Sequence, residues 1–248
     1  MPEPLIEIKN ISKSFRGPEG VLPTLENINM SIDKGSFVSL IGPSGCGKST
    51  LFNIICGLIT PDTGSVVIEG KNVTGQRGVV SYMPQKDLLF PWRTILDNVI
   101  LGPVVQGRSK EETKRQAQEL FEVFGLGGFE NSYPATLSGG MRQRAALMRT
   151  VLCDKPIMLL DESFGGLDAM TRRNMQTWLL GIWERFERSV LLITHDIEEA
   201  LYLSDKIYVL TERPATVGLE LKVDLPRPRV VTDPEFIEYK KTLLEALG

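Results

Sequence analysis

The sequence contains no run of about 20 apolar residues, the length that a membrane-spanning helix needs. Its opening residues, Met1-Pro2-Glu3-Pro4, lack the basic flank and apolar stretch of a secretory signal, so a soluble, cytoplasmic chain is expected. Cysteine is scarce, with three among 248 residues at Cys46, Cys56 and Cys153, and their spacing is not that of metal ligands. An odd and low count argues against a disulfide framework or a zinc site. Excess positive charge is also missing: 28 basic side chains face 31 acidic ones, for a net charge of -3. No nucleic-acid partner is therefore expected. Repeats and low-complexity tracts are absent, and histidine occurs once, at His195.

What is present describes a folding chain. Hydrophobic residues make up 42% and charged residues 24%, far from the composition of disordered proteins. A chain of this length accommodates one core with an inserted or appended subdomain. Residues 5–11 and 25–32 alternate apolar with polar and read as antiparallel strands, separated by a flexible loop at 16–24. Residues 36–41 form an apolar strand, followed by a glycine-rich turn and a helix at 48–56 that Gly57 ends. Short strands are expected at 65–69 and 78–83, and helices from Gln85 to about Cys153. Within that stretch Ser109-Lys110-Glu111-Glu112 has capping-box form, ahead of the stripe Ala117, Leu120, Phe121 and Phe124. Residues 157–161 and 190–194 are apolar runs suited to parallel strands buried on both faces. Between them Asp168 can cap a helix with Met175, Trp178, Leu179, Ile182, Trp183 and Phe186 on its apolar side. A strand at 206–210, a flexible segment at 226–234 and a last helix after Asp233-Pro234, carrying Phe236, Ile237, Leu243 and Leu244, complete an α/β chain.

Three strings carry chemistry. Gly42-Pro43-Ser44-Gly45-Cys46-Gly47-Lys48-Ser49, continuing into Thr50, is a P-loop in its required setting, after an apolar strand and before a helix. Its glycines let backbone N–H groups face a phosphate, and the helix start adds a favourable dipole. Lys48 neutralises β- and γ-phosphate charge, and Ser49 offers a hydroxyl to Mg²⁺. Lys48 is expected to face solvent in the free protein. Ile157 to Glu162 ends a buried strand in two acids: Asp161 approaches the metal while Glu162 reaches toward the γ-phosphate and polarises the attacking water. In the third string, 136–144, Ser138 caps a helix with the stripe Met141, Ala145, Met148 and Leu152. The open amides around Ser138, Gly139 and Gly140 make an anion site.

Leu137-Ser138-Gly139-Gly140, followed by Gln143-Arg144, resembles the signature of ATP-binding-cassette (ABC) ATPases, and the likeness runs from about residue 6 to 210. It implies one ABC domain over 1–248: a RecA-like P-loop core with an N-terminal antiparallel β subdomain (1–86 and 154–248) and an inserted α-helical subdomain (87–153). In that family the signature closes over the γ-phosphate held by the opposite subunit, so a head-to-tail dimer is implied, with a second copy of this chain expected as the partner and a paralogous cassette as the alternative. Gln85 matches the family's glutamine that reaches Mg²⁺ or water, His195 its switch histidine at the γ-phosphate, and residues 165–168 the loop along the dimer interface. Phe15 resembles the aromatic that stacks on adenine. The departures are Ser163 where proline is usual, Gly166 for alanine and Phe15 for tyrosine. Ser163 adds a backbone donor and loosens the turn that aims Glu162.

Leu89-Phe90-Pro91-Trp92-Arg93-Thr94, residues 161–172 and the tail 223–229 look like the importer branch that serves nitrate, sulfonate, taurine, bicarbonate and related solutes. The resemblance thus implies an ATP- and Mg²⁺-dependent ATPase at the cytoplasmic face of the membrane, with transmembrane permease subunits and a solute-binding protein as partners. The alternative is a soluble ABC-type ATPase with a non-transport target. Such proteins usually carry coiled coils, paired cassettes or basic extensions, and none is present. A non-hydrolysing module would be expected to lack one of Lys48, Glu162 or His195, and all three are there.

Overall fold

The computed structural model describes residues 4–17, 20–162, 168–186 and 188–248. Its centre is a six-stranded sheet of β3 (Phe37–Ile41), β6 (Ser81–Met83), β7 (Ile157–Asp161), β8 (Ser189–Ile193), β9 (Lys206–Leu210) and β10 (Val217–Lys222), in the order β10-β9-β3-β8-β7-β6. Five of these strands run parallel and β10 closes one edge antiparallel to β9. β3 and β8 are buried at every position, as strands covered on both faces must be. The register is even: Leu40 and Asp161 both pair with Ile193, Leu160 with Met83, and Ile41 with Val209. The carboxyl ends of all five parallel strands therefore finish at one level.

A second, antiparallel sheet is ordered β2-β1-β4-β5, from β1 (Ile6–Gly17), β2 (Gly20–Ile32), β4 (Thr63–Ile68) and β5 (Lys71–Asn72). The flexible loop expected at 16–24 is instead largely strand. β1 and β2 remain paired through Phe15 with Leu22 and Arg16 with Val21, as far as Gly17 with Gly20. Bulges between Ile8 and Lys13 break the alternation that a strand of this length would otherwise show in sequence. Pro23 is tolerated because β2 is the sheet's edge, where a missing N–H costs no ladder bond. Helix α1 (Lys48–Ile55) packs Leu51, Phe52, Ile54 and Ile55 into the core shared by this sheet and one face of the central sheet.

The other face of the central sheet is covered by helices. α2 (Ile95–Val99), α3 (Leu101–Val105), α4 (Lys110–Phe121), α5 (Gly139–Leu152) and α6 (Ala169–Phe186) share one apolar cluster with Phe37, Met158, Leu160, Val190 and Leu192 of the strands. Ser109 caps α4 by accepting from Glu112 N–H, and Asp168 caps α6 by accepting from Thr171 N–H at 3.0 Å. Asn98 is fully buried in α2 and binds the preceding loop in both directions. It accepts from Phe90 N–H at 2.7 Å and donates to the carbonyls of Phe90, Arg93 and Thr94. The turn carrying Trp92 is thereby held without regular secondary structure.

The C-terminal region differs most from expectation. β10 has the alternating exposure of an edge strand, which the sequence pattern did not mark. The segment 226–234 is anchored: Arg227 donates to Asp205 and to the Leu203 carbonyl, and Arg229, buried, donates to the carbonyls of Leu201, Ser204, Val223 and Leu225. α7 (Ile197–Leu203) and α8 (Pro234–Leu247) pack together there. Asp233 precedes α8 but makes no side-chain cap bond, and of the helix's expected apolar residues Phe236 and Leu243 are buried while Ile237 and Leu244 are exposed. The expected strand at 78–83 shortens to Ser81–Met83, because only those residues reach β7.

Candidate active site at the strand ends

β3 delivers the glycine-rich loop to the level where the parallel strands end. Gly45 has φ 76° and Gly47 φ 129°, in the region that side-chain-bearing residues avoid. A Cβ on Gly47 would also lie 2.8 Å from Leu25 Cδ2, so the loop is seated against β2 as closely as a bare backbone allows. Ser44, Gly45, Gly47, Lys48, Ser49 and Thr50 line a cleft of about 260 Å³, joined by Glu162 and by Arg213, a residue that the sequence patterns did not bring forward. Gly42, Pro43 and Cys46 do not line the cleft, and Cys46 is buried. Lys48 does not face solvent as expected. It is 8% exposed, and its ammonium donates to the carbonyls of Gly42 at 2.7 Å and Pro43 at 2.9 Å. A buried ammonium must spend its donors, and the loop's first carbonyls point inward to receive them.

β7 ends in the acidic pair. Asp161 is half-buried and accepts from the Tyr82 hydroxyl of β6 at 3.1 Å. Burial raises its carboxyl above the usual range, the Tyr82 hydrogen bond opposes this, and neighbouring Glu162 adds to the rise. Tyr82 was not singled out from sequence. Its own ionisation is pushed up, first by burial and then by the Asp161 charge, so it stays a hydroxyl donor. Glu162 turns out of the strand with φ 41°, an unfavourable conformation for a glutamate, held by its N–H to the Ile193 carbonyl at 2.9 Å. That turn aims its carboxylate at two other strand ends. Gln85, two residues beyond β6, donates Nε2–H to Glu162 Oε2 at 2.8 Å, and Nδ1 of His195, two residues beyond β8, lies 3.4 Å from Glu162 Oε1. Ser163 and residues 164–167 lie outside the described residues.

Past Gln85 the chain is fastened to α5. Asp87 accepts from Arg142 Nε at 3.2 Å, and Arg149 donates to the carbonyls of Leu88 and Asp87. At the start of α5, Ser138 accepts from Met141 N–H at 3.3 Å, leaving the Gly139 and Gly140 amides at the mouth of a second cleft of about 550 Å³. Arg144, Asp168, Thr171 and Asn174 contribute to its walls, and it shares no lining residue with the first cleft. Phe15 lines neither cleft. It is half-exposed in β1, with the Lys13 ammonium 5.6 Å from its ring centre.

The family model for ABC transporters matches residues 25–165. The chain belongs to the ABC transporter family. The cassette is 40% identical to the nitrate import ATP-binding protein NrtD of Synechocystis, over 98% of this chain and 94% of that one. It is also 40% identical to the aliphatic sulfonates import ATP-binding protein SsuB of Bacillus cereus, over 97% of this chain and 94% of that one. Among solved structures it resembles a dimeric, post-hydrolysis ATP-binding cassette bound to ADP and Pi, with TM-score 0.76 and 32% identity over 89% of this chain and all of that one.

The fold around the P-loop gives a first prediction. Lys48→Ala removes two charge-assisted hydrogen bonds within the cassette's loop, so it should destabilise the nucleotide-free protein by about 1–2 kcal/mol. Urea unfolding checks this, and unchanged stability would show that the Gly42 and Pro43 contacts carry no weight.

Proposed function

We propose that this cassette is the ATP-hydrolysing subunit of an importer, acting as a pair of identical chains on the cytoplasmic face of a membrane, beneath permease subunits fed by a solute-binding protein. The observation that carries the reading is the convergence of Gln85 and His195 on the Glu162 carboxylate, at the mouth of the Lys48 cleft. Glu162 is the base that takes the proton of the attacking water. Gln85 and His195 hold the carboxylate until the γ-phosphate arrives, and His195 then turns to that phosphate. Lys48 exchanges a loop carbonyl for phosphate oxygen. The amides of 44–50 cradle the phosphate chain, and Phe15 stacks on adenine.

The donors at this site fit Mg²⁺. Ser49, Asp161 and Gln85 supply hard oxygen atoms, and no cluster of three or more His, Cys, Asp or Glu able to hold a metal occurs among the described residues. An ion that keeps water and phosphate in its shell requires no more than one or two protein carboxylates. Bound there, Mg²⁺ supplies charge neutralisation for the β- and γ-phosphates.

The second cleft supports the paired arrangement. Ser138, Gly139 and Gly140 present an anion-binding helix start that no residue of the first cleft shares, so it serves the γ-phosphate of the opposite chain. Asp168 lines that cleft. The helical lobe, 87–153, carries both this helix start and the turn with Trp92. Trp92 is 71% exposed and touches only the Phe90 ring among aromatic side chains described, at 5.1 Å between centres. A large aromatic held out on a fixed turn is a binding anchor in waiting, which favours a membrane-subunit partner over a soluble target. Asp87, Arg142 and Arg149 join that turn to α5 while Gln85 touches Glu162, giving a contact route from the hydrolytic centre to the docking face. The solute is a small one of the nitrate, sulfonate, taurine or bicarbonate kind or related to it; equal identity, 40%, to nitrate, sulfonate and formylaminopyrimidine import relatives leaves its chemical class open.

Glu162→Gln should retain ATP binding while hydrolysis falls about 10²- to 10⁴-fold, the range for losing a general base. An ATP-bound dimer should then accumulate on gel filtration with Mg²⁺, whereas near-normal turnover would remove Glu162 as the base.

Trp92→Ala tests the importer reading. Because the side chain is exposed, the isolated cassette should melt within about 2 °C of the parent, with unchanged basal ATPase. Binding to membrane subunits and solute-stimulated turnover should drop. A melting temperature lowered by more than about 8 °C would identify Trp92 as core instead.

A further inference from the structure

We propose that Arg213 is a second phosphate-binding cation of the cassette, reaching the polyphosphate chain of the nucleotide from the turn between β9 and β10. The proposal rests on the nucleotide-binding reading of the first cleft and extends it to a residue outside the P-loop and the acidic pair.

Three observations carry it. Arg213 lines the same cleft as Gly45, Lys48, Ser49 and Glu162, and a Cβ on Gly45 would lie 3.8 Å from Arg213 Nη2, so the guanidinium hangs directly over the loop that cradles phosphate. The turn that bears it is rigid. Thr211 N–H donates to the Thr216 carbonyl at 3.0 Å and Thr216 N–H to Thr211 Oγ1 at 2.9 Å, closing the turn. Ala215, fully buried, donates to the Thr24 carbonyl at 3.0 Å and accepts from Glu26 N–H at 2.9 Å, fixing the turn to the stretch of β2 against which Gly47 is seated. Finally, Arg213 makes no hydrogen bond or ion pair with any described residue, whereas Arg227 donates to Asp205 and the Leu203 carbonyl and Arg229 to several carbonyls. A guanidinium with its donors unspent, on a braced turn, facing a backbone anion cradle, has the fork geometry for two phosphate oxygens.

Charge explains the need for it. Lys48 already spends two of its three donors on the Gly42 and Pro43 carbonyls, and Glu162 places a negative charge in the same cleft. A nucleoside triphosphate brings several negative charges more. Without Arg213 the cleft's charged lining would be one cation against one anion. With it, the lining attracts phosphate.

The experiment is calorimetric titration of the full-length chain with MgATP, alongside competition by inorganic tripolyphosphate and a melting curve, for the parent, Arg213→Gln and Arg213→Lys. Arg213→Gln is expected to weaken ATP and tripolyphosphate by the same factor, about tenfold, with a shallower salt dependence and an unchanged melting temperature. Arg213→Lys, which keeps the charge but not the fork, should recover part of the loss. ATP affinity within twofold of the parent would overturn the proposal, and so would a loss that tracks a lowered melting temperature in both variants. A parent chain that binds no MgATP would instead overturn the nucleotide reading on which Arg213 depends.

Discussion

Parallel backbone pairing among β9, β3, β8, β7 and β6 decides where chemistry can occur in this chain. Because Leu40, Asp161 and Ile193 lie in one register, the loop after each strand opens at the same level, and each loop contributes one group. In the proposed site β3 brings the phosphate cradle, β7 the acids, β8 the histidine, β6 the glutamine and β9, by way of its turn, Arg213. Ligands of open α/β sheets bind beyond the carboxyl ends of the strands for this reason. A slip of one residue between β7 and β8 would turn the strand's side chains to opposite faces and move Glu162 away from both of its partners.

In the proposed function Glu162 is where this alignment becomes a mechanism. Its positive φ is a local cost, met by the hydrogen bond to Ile193 and by partners just beyond the ends of two other strands. A carboxylate shared between Gln85 and His195 is sensitive to whatever alters either of them. Gln85 leads within two residues to Asp87, which α5 grips through Arg142 and Arg149, and then to the turn that Asn98 shapes around Trp92. A short chain of polar contacts thus runs from the Glu162 carboxylate to the turn carrying Trp92, and in the proposed function it links hydrolytic state to the surface presented to a partner. The P-loop and the start of α5 open into separate clefts, which a second copy of the chain would bring together in the proposed dimer.

How legible each part was depended on how local its cause is. The P-loop, the Asp161–Glu162 pair and the capped helix start at Ser138 are written in consecutive residues, because the backbone turn, the strand end and the cap are each made within a few positions. The buried parallel strands were legible from unbroken apolar runs. Gln85 and His195 entered only through family resemblance, since a lone amide or imidazole has no pattern of its own. Tyr82 went unnoticed because its role is a contact with Asp161, 79 residues away. Arg213 was missed likewise, since only the fold brings the β9–β10 turn to the P-loop. The expectation for Lys48 failed because burial of its ammonium is set by the inward tilt of two carbonyls. The outer end of the β1–β2 hairpin, at 16–24, has the glycines and prolines of a flexible loop, and only the pairing of the two strands shows that it continues the ladder.

The central claim is that each hydrolytic centre draws its phosphate cradle from one chain and its Ser138 helix start from another. Mixed dimers test it most directly, using a Lys48→Ala chain combined with a Ser138→Arg chain, each inactive alone, with differently tagged chains purified together to establish that heterodimers are present. In such a pair one composite site carries both lesions and the other carries neither. Part of the ATPase activity should return in these heterodimers. Heterodimers as inactive as either parent would contradict it.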